Sequence, residues 1–192
     1  MKLSSVVYCV YKYEKEVDIM IIPFKNNTPD VSEAAFVAES AQIIGSVKMH
    51  EGSCVLFNST VRGDNGLIEI GKYSNIQDGC TLHTSSAKEF STMTIGDYVT
   101  VGHNAVLHGC TIGDGCLIGM GSIIMDGSVI GEHSIVGAGS LVTSGKTFPP
   151  YSLIMGSPAK VVKAITPERA DTLLGYAEGY YQKALEYKKV LG

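Results

Sequence analysis

At 192 residues the chain fits one domain of ordinary size and is long enough to bury a proper core. Its 15 Lys and Arg and 19 Asp and Glu are spread along the chain to a net charge of −4, leaving no basic stripe for a nucleic-acid backbone and no cationic amphipathic face for a membrane. Five cysteines without a CxxC pair fit neither a disulfide framework nor a four-cysteine metal site, and 22 glycines with no tryptophan point to internal repeats.

Residues 1–19 form an N-terminal extension whose structure the sequence leaves open between a strand pair, an arm and an upstream addition. The apolar run Val6 to Tyr11 is far shorter than a membrane span and no cleavage site follows it, so the expected location is cytoplasmic.

From residue 20 to residue 147 a repeat dominates. Ile-Gly or Val-Gly occurs at Ile44, Ile70, Ile95, Val101, Ile112, Ile118, Ile130 and Val136, with spacings of six and twelve recurring. A longer unit is visible in TIGDYVTVG from Thr94, TIGDGCLIG from Thr111 and VIGEHSIVG from Val129, starting 17 and then 18 residues apart. An apolar residue every sixth position matches neither the helical period nor simple alternation, but a chain wound with three short strands per coil buries it. The sequence therefore predicts a mainly β protein, a three-sided parallel β-helix, with glycine after each apolar residue where backbone bends or approaches closely. Two positions before these apolar residues stand Ser74, Cys80, Val99, Cys110, Cys116, Ser122, Ser128, Ser134 and Ser140, small enough for a narrow interior, and Cys54 extends the series. Four of the five cysteines are thus read as small core residues.

The unit EIGKYSNIQ from Glu69 precedes its counterpart at Thr94 by 25 residues, not 18, so about seven extra residues protrude within 84–92, a loop of the kind that carries function. The pattern stops after Val142. Residues 148–165, with Phe148-Pro149-Pro150 and Gly156-Ser157-Pro158, are expected to connect to a C-terminal segment at 166–192. There Thr166-Pro167-Glu168 starts an amphipathic helix whose apolar stripe, from Ala170 through Leu173, Ala177 and Ala184, packs on the prism.

Register turns the histidines into geometry. His83 and His108 are each the fifteenth residue of their units and so share one position on successive coils. Strands about 4.8 Å apart let two outward imidazoles converge on one metal at roughly 2.0 Å per nitrogen. Each follows an apolar residue, Leu82 or Leu107, where glycine is usual. His103 lies one hexad earlier and does not reach that pair within one chain; a threefold arrangement of prisms would bring it to the pair of a neighbour. Three imidazoles with an open fourth position describe a catalytic zinc site, so a homotrimer with intersubunit sites is expected. His50 and His133 are read as solvated surface residues.

VRGD (Val61 to Asp64), NIQDGCTLH (Asn75 to His83) and VGHNAVLHGCTIG (Val101 to Gly113), in this order, resemble the gamma-class carbonic anhydrases and their homologues in the hexapeptide-repeat superfamily. The resemblance implies a left-handed β-helix trimer. It also implies zinc, or iron or cobalt, held by His83 and His108 of one subunit and His103 of the next, for the reversible hydration of CO2 to bicarbonate. It further implies an intersubunit salt bridge from Arg62 and Asp64, and Gln77 as the residue that orients hydroxide or bicarbonate, with Asn75 and Asp78 in the same pocket segment and Tyr180 of the terminal helix in reach. Family members carry acidic residues for proton transfer beside the metal. Here the loop offers only Glu89, which implies slow proton transfer. Two further readings are a CoA-dependent acyltransferase with one histidine as general base, and a trimeric scaffold that keeps a metal site without turnover.

Overall fold

The computed structural model, which describes residues 20–191, winds the chain into a parallel β-solenoid of about seven turns closed by one helix. Each coil contributes to three sheets. The first contains Asp30–Val31, Met93–Ile95, Thr111–Ile112, Val129–Ile130 and Thr147–Phe148. The second contains Phe36–Val37, Cys54–Val55, Asn75–Ile76, Thr100–Val101, Leu117–Ile118, Ile135–Val136 and Ser152–Gly156. The third contains Met20–Ile22, Thr81–His83, Val106–His108, Ile123–Ile124 and Leu141–Val142. Two long strands, Gln42–Met49 and Thr60–Ile70, turn from the third sheet into the first.

The hexad exists because each strand turns one large aliphatic side chain inward. Ile70, Ile95, Ile112 and Ile130 line the first sheet, Ile76, Val101, Ile118 and Val136 the second, and Val61, Leu82, Leu107 and Ile124 the third, all fully buried or nearly so. Each contributes roughly 1.5–3 kcal/mol on leaving water. The small residues do more than save space. Ser74 Oγ donates to Gly96 O at 2.6 Å, Ser122 Oγ to Gly137 O at 3.0 Å and Ser128 Oγ to Thr143 O at 3.0 Å, tying coil to coil. Burial pushes the thiols of Cys54, Cys110 and Cys116 up to about 12 and that of Cys80 to about 11, so these four remain protonated packing residues. Cys9 and the rest of the extension at 1–19 lie outside the described residues.

Three expectations are corrected. The glycine after the inward residue does not supply the bend. Left-handed backbone occurs three residues after the inward position, at Tyr73, Tyr98, Asn104 and His133 as well as at glycines. The following glycine is instead needed for close approach, since a Cβ at Gly113 would lie 2.6 Å from the Glu132 amide nitrogen of the next coil. Residues 148–165 are more than a connection. Leu153 and Ile154 pair with Ile135 and Val136 to continue the second sheet, and Ala159–Ala164 returns antiparallel to Ser152–Gly156. The solenoid therefore runs past Pro149-Pro150. Finally, neither lone histidine is simply solvated: His50 Nε2 meets Glu69 Oε1 at 2.7 Å, and His133 stacks on Tyr151 at 5.1 Å with its Nδ1 buried.

The helix α1 (Pro167–Leu191) starts where Thr166 Oγ1 accepts from Arg169 N at 3.3 Å. Ala170, Leu173, Ala177 and Ala184 are buried against the prism, and short alanines let the backbone lie close. Tyr181 meets Tyr73 edge-on at 5.1 Å, and Tyr187 meets Phe57 likewise at 5.1 Å. Thus α1 runs back along the solenoid, which brings Tyr180 over the second sheet near Gln77 and His103.

Candidate metal centre

On the third sheet the residue after each inward side chain faces outward. Arg62 pairs with His83, and His83 with His108, in the parallel ladder. Register thus stacks the two imidazoles, with ring centroids 5.0 Å apart and His83 Nδ1 lying 3.0 Å from His108 Nε2.

Both outer nitrogens are committed to carboxylates. His83 Nε2 lies 2.8 Å from Asp64 Oδ1, and His108 Nδ1 lies 2.6 Å from Asp126 Oδ1. A carboxylate only accepts, so each outer nitrogen carries the proton and each inner nitrogen of a neutral ring presents a lone pair. With both rings neutral the two lone pairs face each other at 3.0 Å, a gap that a proton on one ring bridges as an N–H···N bond and that a metal cation between them bridges as well. The gap is near the separation of about 3.3 Å shown by two nitrogens on a tetrahedral zinc, and carboxylate–imidazole pairs are the usual outer shell of such ligands. The donor set therefore fits a metal, with two imidazoles from one chain.

Asp64 reaches His83 because the chain bulges. Gly45 pairs with Gly63 and Val47 with Ile68, so the four residues 64–67 stand opposite Ser46 alone. Arg62 bonds Asp64 within the chain. Burial pushes the Asp64 carboxyl upward, but hydrogen bonds from His83 and Arg62 and the guanidinium charge outweigh it and hold the acid below its usual range. Asn65 of the same bulge donates to Thr84 O at 3.1 Å beside His83. Nine residues, 84–92, separate His83 from Met93, whereas two separate His108 from Thr111. Glu89 lies exposed in a short 3-10 turn there.

His103 is elsewhere. It sits in the corner after Thr100–Val101, where its Nδ1 meets Asp78 Oδ2 at 2.8 Å. Gln77, 5 % exposed, donates from Nε2 to Asn75 Oδ1 at 3.3 Å, and Asn75 donates to Thr100 Oγ1 at 2.9 Å. Gln77, His103 and Tyr180 share a groove of about 410 Å³ with Thr100, Met120 and Tyr176. Burial, then the nearby Asp78 carboxylate, raises the Tyr180 phenol above its usual value. Within one chain the candidate residues therefore fall into two separate groups, His83 with His108 on the third sheet and His103 with Gln77 and Tyr180 on the second. Among the described residues no cluster of three metal-ligating side chains forms within the chain.

Sequence reasoning missed Asp126 and Asn65. Asp126 stands 18 residues after His108, one coil on; an acid at coil spacing from a suspected ligand was the available signal. Asn65 left a fainter one, since the bulge stretches the coil from 18 residues at Gln42 and Thr60 to 21 at Lys48 and Glu69.

The pattern of the bacterial transferase hexapeptide family (six repeats) matches residues 109–144. A probable carbonic anhydrase of Methanocaldococcus jannaschii is 46 % identical over 160 residues, covering 83 % of this chain and 94 % of that protein. The mitochondrial gamma carbonic anhydrase 2 of Arabidopsis thaliana is 39 % identical over 163 residues, 83 % of this chain and 58 % of the longer plant protein. A solved Bacillus cereus structure, provisionally named an acetyltransferase, superimposes with a TM-score of 0.85 at 43 % identity, covering 89 % of this chain and 98 % of that one. The chain belongs to the gamma carbonic anhydrase-like family of hexapeptide-repeat proteins.

Proposed function

We propose that the protein is a metal-dependent carbonic anhydrase of the gamma type, hydrating CO2 reversibly at sites shared between the subunits of a homotrimer. The observation that carries this reading is the facing pair His83 Nδ1 and His108 Nε2, each with its outer nitrogen held by a carboxylate. Zinc, or iron or cobalt, is the metal this donor set suits, with His103 of a neighbouring subunit as third ligand. When bound, such a metal would make water a nucleophile near neutral pH by lowering the pKa of the bound water. Asp64 and Asp126 keep the two imidazoles turned toward each other. Gln77, its amide anchored on Asn75, leaves its carbonyl oxygen and second N–H to align hydroxide or bicarbonate. Tyr180 closes the groove above it.

Subunit association is supported by the apolar side chains flanking both half-sites. Val106 and Ile123 on the third sheet are 37 % and 43 % exposed, and Met120 beside His103 is 58 % exposed. In the proposed trimer a second copy would cover this strip and set its His103 corner against a His83–His108 pair. The test is metal analysis of anaerobically purified protein with a stopped-flow CO2 assay. About one metal per chain and hydration abolished by His108→Ala are expected; a metal-loaded protein no faster than buffer would refute the reading.

The likeness to the Bacillus cereus structure favours a second reading, acyl transfer from CoA with one histidine as general base. That chemistry needs a single imidazole and leaves the stacked pair without a role. Acetyl-CoA binding by a metal-free protein would favour it.

A further inference from the structure

We infer that Asp126 is a positioning residue that locks His108 in the tautomer whose Nε2 lone pair faces His83. The inference rests on the proposed metal reading for its consequence, but the lock itself is a property of the metal-free chain.

The turns of the solenoid show what Asp126 does differently. Asp97 and Asp114 spend a carboxylate oxygen on backbone: Lys72 N donates to Asp97 Oδ1 at 2.7 Å and Asp97 N to Asp114 Oδ1 at 2.9 Å. The Asp126 carboxylate instead receives His108 Nδ1 at 2.6 Å. Its main chain is fixed, since Gly145 N donates to Asp126 O at 2.8 Å. Below it, Gly109 directly follows His108 and makes room, because a Cβ there would lie 2.4 Å from Asp126 Oδ1. Gly109 also has φ +51°, which a side chain disfavours. The carboxylate thus sits in a slot between the ligand and the glycine that follows it.

An aspartate in that slot only accepts, so the Nδ1 position keeps its proton and Nε2 stays free for a cation. Asparagine, with nearly the same shape, presents either its oxygen or its NH2 group. When NH2 is presented, the proton moves to Nε2 and the lone pair facing His83 is lost. Asp126→Asn is therefore a test of charge and hydrogen-bond direction with little change in packing.

The experiment is a long-range 15N–1H correlation of the metal-free protein with labelled histidine, well above the ordinary imidazole titration range, combined with zinc affinity by chelator competition. In the unaltered protein His108 is expected as the Nδ1–H tautomer. Asp126→Asn is expected to mix the tautomers and weaken zinc binding by about 10–100-fold, whereas Asp114→Asn changes neither. His108 found as Nε2–H in the unaltered protein overturns the inference, as does, where the unaltered protein binds zinc, unchanged zinc affinity in Asp126→Asn. If Asp126→Asn does not fold, the tautomer in the unaltered protein decides. A tautomer that responds to Asp126→Asn in a protein that never binds zinc upholds the lock and refutes the metal reading.

Discussion

Two kinds of sheet build one prism. On the first and second sheets the residue after the inward side chain is glycine at seven positions, Gly71, Gly96, Gly113 and Gly131 and Gly102, Gly119 and Gly137, but it is Leu56 after Val55, Gln77 after Ile76 and Met155 after Ile154. On the third sheet the same position holds Arg62, His83, His108, Met125 and Thr143. Where glycine stands, the next coil's backbone occupies the space a Cβ would need, except at Gly137, where the Met155 side chain does. Where it is absent, the coil spacing is unchanged but a column of side chains projects outward in ladder register. Two faces spend the position mostly on packing, with Gln77 the exception at the candidate site, and the third spends it on projecting side chains.

The sharpest way to break this contrast is to exchange demands between the faces. Gly113→Val forces a branched side chain against the Glu132 amide, which is backbone and cannot yield; a loss of roughly 2–4 kcal/mol is expected in urea denaturation. His83→Ala on the third sheet, measured without metal, is expected to stay within about 1 kcal/mol while removing zinc binding. Equal losses in the two variants would erase the distinction between the faces.

A smaller effect probes the bulge that serves only the third sheet. Asp64 is held below its usual value near 3.8, so its contribution to stability is present above that pH and is lost as pH falls through the lowered folded value. Denaturation midpoints of unaltered protein and Asp64→Asn should differ at neutral pH and converge as the pH falls below about 4. A gap that persists into acid would mean that Asp64 acts by shape and not by charge.

Much of this was legible before the structure. The hexads expose the prism because each buries one aliphatic residue per strand, and counting along the unit pairs His83 with His108 directly. The same counting placed His103 on another hexad, as found. The bulge was harder to see: it lengthens its coil from 18 to 21 residues inside one strand, where no Ile-Gly or Val-Gly marks the register between Ile44 and Ile70. Nor was the continuation through Leu153 and Ile154, where prolines interrupt the glycine pattern but the strand still stacks. The partners of the histidines were hidden for a common reason. Asp126 and Asp78 lie 18 and 25 residues from the imidazoles they hold, a separation that becomes adjacency only once the coil length is known at that place.

The central claim, that each metal site is divided between two copies, is tested most directly by complementation. His103→Ala and His108→Ala chains, each unable to complete a site alone, are co-expressed and the mixed oligomers purified through two tags. A site needs an intact His108 from one chain and an intact His103 from its neighbour, and a mixed trimer holds one such ordered pair among its three interfaces, so about a third of its sites are restored. Zinc bound at that level in the mixed oligomer, with none in either variant alone, is the predicted result. A mixed oligomer that binds no more zinc than its parents would contradict the account.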